Sequence, residues 1–215
     1  MKSAVLFIHS SYPKQHLSFY RKLCRGKFKI AVDGGYSFFK QAKIKPDIII
    51  GDFDSLRKEL VRGVNLLSFP VKKDATDSEL AVSYCIDMGF KSIDIVMPAI
   101  GEPDHFLGLL SLLLMPQLNL QKGNKISARI VNNECEILLL KNCGRTFTNC
   151  KNELLSVLPH GGAVKLTCLG MEYPAKGLLI KSWRTTGMRN VIRSNKAKIS
   201  IKGTALIVHY WKKIS

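Results

Sequence analysis

Three consecutive isoleucines, Ile48-Ile49-Ile50, run from Pro46-Asp47 into Gly51-Asp52-Phe53-Asp54-Ser55, and this stretch constrains the fold more than any other in the 215-residue chain. A β-branched run with no polar alternation is what a strand buried on both faces of a parallel sheet requires. Gly51 permits a tight turn at its end. Asp52 and Asp54, spaced i and i+2, then place two carboxylates at the carboxyl end of the strand, where open α/β sheets bind ligands. Carboxylates this close repel unless a cation lies between them, which suggests a magnesium ion. The alternative for the stretch alone is that Asp52 caps a following helix and Asp54-Ser55 forms a polar turn.

The surroundings agree with a parallel sheet. Strand-like runs at 3–9, 29–32, 47–50, 65–69 and 92–97 are interspersed with helix-like stretches at 14–25, 36–42, 78–88 and 105–115, and with a further segment at 56–62. Repeated β-α units of this length imply a parallel sheet with helices on both faces. Residues 106–115 are apolar nearly all round, which predicts a deeply buried helix ended by Pro116. The composition turns polar over 117–124. Beyond it, short runs at 126–132, 136–140, 154–158, 163–169, 178–181, 198–202 and 205–210 are divided by turns such as Asn142-Cys143-Gly144 and His160-Gly161-Gly162. This pattern predicts an antiparallel sandwich or barrel. The expected organisation is an α/β domain over 1–120 followed by an all-β domain over 125–215.

No apolar run reaches the roughly 18 residues of a membrane span, and residues 4–8 are too short for a signal-peptide core, so a cytoplasmic protein with no membrane partner is expected. The six cysteines form no C-x-x-C pair and no zinc spacing with the five histidines, which reads as reduced structural thiols. The formal charge of +17 attracts nucleotides and, non-specifically, nucleic acid. The basic residues are dispersed, with small clusters such as Lys72-Lys73, and no nucleic-acid-binding signature accompanies them. Nucleic acid is therefore not expected as a partner beyond that charge attraction.

The acidic residues of the first half gather just after predicted strands: Asp33, Asp52 and Asp54, Asp74 and Asp77, and Asp104. In a parallel sheet all these ends share one edge, so six carboxylates distant in sequence can converge. Thr76-Asp77-Ser78-Glu79 has the form of a capping box, opening a helix with Leu80, Ala81, Tyr84, Cys85 and Met88 as its apolar face. A helix N-terminus placed there faces phosphate and metal in one reading and carries only a favourable first-turn acid in the other. Gly34-Gly35 admits a close phosphate or a plain turn.

Taken in order, Asp33-Gly34-Gly35, Gly51-Asp52-Phe53-Asp54-Ser55, Asp74-x-Thr76-Asp77 and Asp104-His105 resemble the signature of the thiamine pyrophosphokinase family. Gly170-Met171-Glu172-Tyr173, Gly177-Leu178-Leu179 and Ser194-Asn195 extend the likeness through the second half. The resemblance implies a Rossmann-like domain, a β-sandwich domain, and a homodimer binding thiamine between domains of different subunits. It implies diphosphoryl transfer from ATP to the thiamine hydroxyl, with release of AMP. Asp52, Asp54, Asp77 and Asp104 match the family's magnesium and phosphate positions. Asp33, Gly34, Gly35, Ser55, Asp74, Thr76 and His105 fall in the stretches that match its nucleotide-side loops, and Ser194 and Asn195 match its thiamine-side motif. Trp183 is a candidate to stack on a thiamine ring or, alternatively, a sandwich-core tryptophan. The chain departs from the family before Asp104, where Pro98-Ala99-Ile100-Gly101-Glu102-Pro103 replaces a Gly-rich loop with a basic residue, and at Leu109, where an Asn is usual. Two other functions remain open: a diphosphokinase for another alcohol, such as a hydroxymethylpterin, and a basic nucleotide- or nucleic-acid-binding protein without catalysis.

Overall fold

Strands that are apolar on both faces seed the first half. In the computed structural model β1 (Ser3–Phe7), β2 (Phe28–Val32), β3 (Ile48–Gly51) and β5 (Ser92–Val96) are almost wholly buried. They join β4 (Asn65–Ser68) and β6 (Ser127–Val131) in the order β6-β5-β1-β2-β3-β4, with every neighbouring pair parallel. The structure describes residues 2–51, 63–69, 74–97, 102–118 and 126–211. Asp52, Asp54, Ser55, the segment 56–62, Lys72-Lys73 and most of the loop before Asp104 lie outside them. Among the described residues no helix is long and apolar enough to cross a membrane.

Helices α1 (Leu17–Leu23) and α2 (Tyr36–Ala42) are held on this sheet by aromatic rings. Phe38 stacks on Phe7 at 3.8 Å between centroids, with Tyr20 and Phe39 edge-on to the same ring. All four are buried, so each contributes about 1.5–3 kcal/mol of burial and together they fix where α2 begins. Helix α3 (Asp77–Asp87) packs over β2 and β3. It buries Ala81, Val82 and Cys85, while Met88, expected on the inner face, is exposed.

Helix α4 and strand β6 also differ from the expectation. Helix α4 (Pro103–Leu112) is not deeply buried: Leu109 and Leu112 face inward, but Leu107 is 61% exposed. It packs on α3 and on the short α5 (Met115–Leu118), which carries Pro116, and an all-round apolar sequence does not tell which side finds a partner. Strand β6, expected to open the second domain, pairs in parallel with β5, and the compact units divide at 133/134 rather than at 120–125. Arg129 of β6 lies directly opposite Asp94 of β5, and its guanidinium bonds that carboxylate at 2.7 Å.

The second unit is a sandwich of two antiparallel sheets. One orders β12 (Asn190–Val191), β9 (Leu154–Pro159), β14 (Thr204–Tyr210) and β7 (Cys135–Lys141). The other orders β11 (Ala175–Ile180), β10 (Val164–Leu169), β13 (Lys196–Lys202) and β8 (Gly144–Thr148). Their inner faces meet in one apolar cluster that includes Leu138, Val157 and Ile207 from the first sheet and Leu166, Ile199 and Ile201 from the second. Strict alternation in Lys196-Ala197-Lys198-Ile199-Ser200-Ile201-Lys202 sends every second residue into that core.

Candidate active site

Because all six strands of the first sheet are parallel, their carboxyl ends share one edge. The strand order reverses at β1, with β2, β3 and β4 on one side and β5 and β6 on the other. Ligands of open α/β sheets bind outside the carboxyl ends at such a reversal.

Asp33-Gly34-Gly35 forms a 3-10 turn straight after β2. Asp33 adopts φ +45°, a left-handed conformation that Asp tolerates. The turn lies against the end of β1, and a Cβ on Gly35 would come 1.8 Å from the Phe7 carbonyl oxygen. The need for glycine at 35 therefore comes from strand packing itself. At Gly34 the obstructing group is the His9 ring, 1.8 Å from a built Cβ. Gly51 is less constrained: its Cβ position is 3.3 Å from the Asp33 Cα, a tight contact that a small shift would relieve. Its carbonyl accepts the Phe69 N–H at 3.2 Å, so the ends of β2, β3 and β4 adjoin where the chain enters Asp52.

Beyond β4, Thr76 caps α3, its Oγ1 accepting the Glu79 N–H at 3.2 Å. This is one half of the capping box expected from the sequence, and it puts Asp77 in the first turn of α3, the helix that follows β4 in the chain. Asp74 is exposed just before it. Across the reversal, the end of β5 lies two interstrand steps, about 10 Å, from that of β2. Later in the chain than β5, Glu102, Asp104 and His105 bring two carboxylate oxygens and a ring nitrogen within 4.8 Å of one another. Glu102 pairs with His105 at 3.5 Å, and Asp104 accepts the His105 backbone N–H at 2.8 Å. Glu102, which stands where the family carries a basic loop, thus belongs to the acidic cluster.

The sequence pattern did not single out His9. It follows β1 at the reversal and lies against Gly34. Only the strand order marks this position, and no local motif carries it.

Apart from the His105 ring nitrogen, the candidate donors are carboxylate oxygens, a hard set of the kind that suits magnesium. They contrast with Asp94 in mid-strand, which is 2% exposed and bonded by both Lys27 and Arg129. Burial alone would raise the Asp94 pKa, but the two cations outweigh it and hold the carboxyl below its ordinary range.

In the second unit the structure joins two of the three sequence stretches singled out there. Gly170 accepts the backbone N–H groups of Arg193 and Ser194 at 2.9 and 3.2 Å, and Met171 bridges Ile192. A Cβ on Gly170 would come 2.3 Å from Ser194 Oγ, which donates to the Lys196 carbonyl at 2.7 Å. Asn190 bonds both the N–H and the carbonyl of Tyr173, and Arg193 pairs with Glu172. Trp183 is not a core residue. It is 72% exposed, with Lys181 Nζ 5.2 Å from its ring centroid. Near these loops an apolar cavity of about 310 Å³ opens between the sheets, lined by residues that include Met171, Tyr173, Leu178 and Met188.

Comparison with known proteins adds four findings. The catalytic domain of thiamin pyrophosphokinase matches residues 20–127, half of the chain. The thiamine pyrophosphokinase of Bacillus subtilis is 27% identical over 188 residues, covering 83% of this chain and 85% of that protein. Among solved structures, thiamine pyrophosphokinase from Bacillus subtilis superposes with a TM-score of 0.78 at 22% identity, covering 96% of this chain and 98% of that one. Yeast thiamin pyrophosphokinase superposes with a TM-score of 0.79 at 14% identity, covering 97% and 86%.

Proposed function

This chain belongs to the thiamin pyrophosphokinase family, hence to the kinase-type transferases, and we propose that it transfers the diphosphoryl group of ATP to the hydroxyl of thiamine. The observation that supports this most strongly is the common edge of the parallel sheet, where Asp33, Asp74, Asp77 and Asp104 all follow strand ends around the reversal at β1.

In the proposed reaction the thiamine hydroxyl oxygen bonds to the β-phosphorus of ATP while the bond from that phosphorus to the bridging α–β oxygen breaks. AMP leaves and the hydroxyl proton is released. Such a step needs positioning and charge neutralisation more than covalent chemistry. The N-terminal turn of α3 offers backbone N–H groups and the positive end of the helix dipole to a phosphate. Thr76 holds that turn in place. The Asp33–Gly35 turn, packed on Phe7, gives the nucleotide a rigid wall, and His9 and His105 offer ring nitrogens to phosphate oxygens. Asp52, Asp54, Asp77 and Asp104 would hold magnesium, which when bound neutralises phosphate oxygens.

We place thiamine against Ser194, Asn195 and the exposed ring of Trp183, at an interface between two copies of the chain. The exposed Leu107 on α4 and Tyr173 and Met188 in the second unit are apolar surface of the kind a second copy covers. All six cysteines are free, which suits a reducing cytoplasm. Incubation with ATP, magnesium and thiamine tests the reading. AMP and thiamine diphosphate are expected in equal amounts; turnover with a hydroxymethylpterin but not with thiamine would contradict it.

A further inference from the structure

The inner face of the sandwich should be apolar throughout, yet at one end it carries Glu136 of β7 and His209 of β14, each 3% exposed and directly opposite one another. The loop between β8 and β9 adds two more donors. Asn149 and Asn152 take positive φ values of 60° and 68°, and the Glu153 N–H closes the turn on the Cys150 carbonyl at 3.0 Å. This folding sets Cys150 and Glu153 on the same side, toward His209. The Cys150 sulfur, a Glu153 oxygen and a His209 ring nitrogen lie within 4.8 Å of one another.

We propose that Cys150, Glu153 and His209 form a binding site for a thiolate-accepting divalent cation of the zinc type, separate from the carboxylate edge of the first unit. One thiol, one carboxylate and one imidazole are a borderline-soft set that suits zinc or cobalt and not magnesium. Metal–ligand bonds of about 2.0–2.3 Å place tetrahedral donors roughly 3–4 Å apart, so the 2.7 Å contact between His209 Nε2 and Glu153 would open slightly and the three donors, all within 4.8 Å of one another, would close around the ion.

The surroundings match what metal-bound histidines require. His209 Nδ1 faces Glu136 at 3.4 Å, and Glu136 is in turn held by Arg145 at 3.3 Å. A carboxylate behind the far ring nitrogen fixes the tautomer and leaves Nε2 as the donor. Phe147 and Trp211 pack edge-on against the imidazole and fix its plane. The charge also balances. With a dication, the Cys150 thiolate, Glu153 and Glu136 on one side and Arg145 on the other sum to neutrality. The ion would tie the β8–β9 loop to β14, and a water would take its fourth position.

The test is titration of the metal-free full-length chain with Co²⁺. One equivalent should give a thiolate-to-cobalt charge-transfer band in the near ultraviolet, displaced by Zn²⁺ and unaffected by excess Mg²⁺. Cys150→Ser should abolish the band, Cys143→Ser should leave it, and Glu136→Gln should weaken Zn²⁺ binding about 10–100-fold. Circular dichroism on each variant separates loss of the site from loss of the fold. No band in a folded wild-type chain, or an undiminished band in Cys150→Ser, overturns the proposal.

Discussion

The carboxylates of this molecule fall into two populations. Asp47 is paired with Lys29, Asp94 with Lys27 and Arg129, and Glu136 with Arg145 and His209. Asp33, Asp74 and Asp104, which follow parallel strands in the chain, have no basic side chain bonded to them among the described residues. If a ligand brings its own charge to the strand ends, as proposed above, Asp33, Asp74 and Asp104 are the acids expected to meet it, whereas Asp47, Asp94 and Glu136 already carry a cation partner. That contrast, rather than the number of acids, separates framework from site.

The largest effect should come from the strand ends. Asp54→Asn removes one charge from the proposed magnesium set and is expected to lower turnover at least about 10²–10³-fold, with the fold retained by circular dichroism. Near-normal turnover would remove Asp54 from the site. The opposite behaviour is expected in mid-strand. Asp94→Asn leaves Lys27 and Arg129 facing a neutral amide, at a cost of about 3–5 kcal/mol, or roughly 6–20 °C in Tm. A Tm within 2 °C of wild type would mean that the pair contributes little.

The same pair sets a pH dependence. The Asp94 pKa is lower in the folded chain, so its stabilisation is fully present above the ordinary carboxylate value near 4 and is lost as pH falls through the folded value. Acid unfolding of the wild type should therefore steepen below about pH 4, and Asp94→Asn should flatten that limb. A smaller change is expected at the α3 cap, where Thr76→Ala should cost about 1 kcal/mol and weaken ATP binding while leaving thiamine binding unchanged. Equal weakening of both substrates would detach that helix end from the phosphate.

Much of the first unit was legible in its sequence. Runs such as Ile48-Ile49-Ile50 admit one environment, and four acid-bearing loops after such runs mark an edge. The edge strand β8 was missed, because its inward positions are Arg145 and Phe147. An arginine reaching a buried glutamate erases the alternation that reveals a strand. The boundary at 133/134 was also hidden, since nothing local in Ser-Ala-Arg-Ile-Val states whether its neighbour runs parallel, and the partner that decides it, Asp94, is 35 residues away. His9 was missed for a related reason: the end of β1 becomes special only once β5 is known to lie beside it. Trp183 and Leu107 show the limit of composition, which records that a residue is apolar but not whether anything within its own unit covers it.

The most direct test of the division between framework and site carboxylates is to measure turnover and Tm side by side on Asp104→Asn. Turnover should fall about 10²-fold or more, with a Tm change of no more than about 2–4 °C. Near-normal turnover, or a Tm loss as large as that of Asp94→Asn, would contradict it.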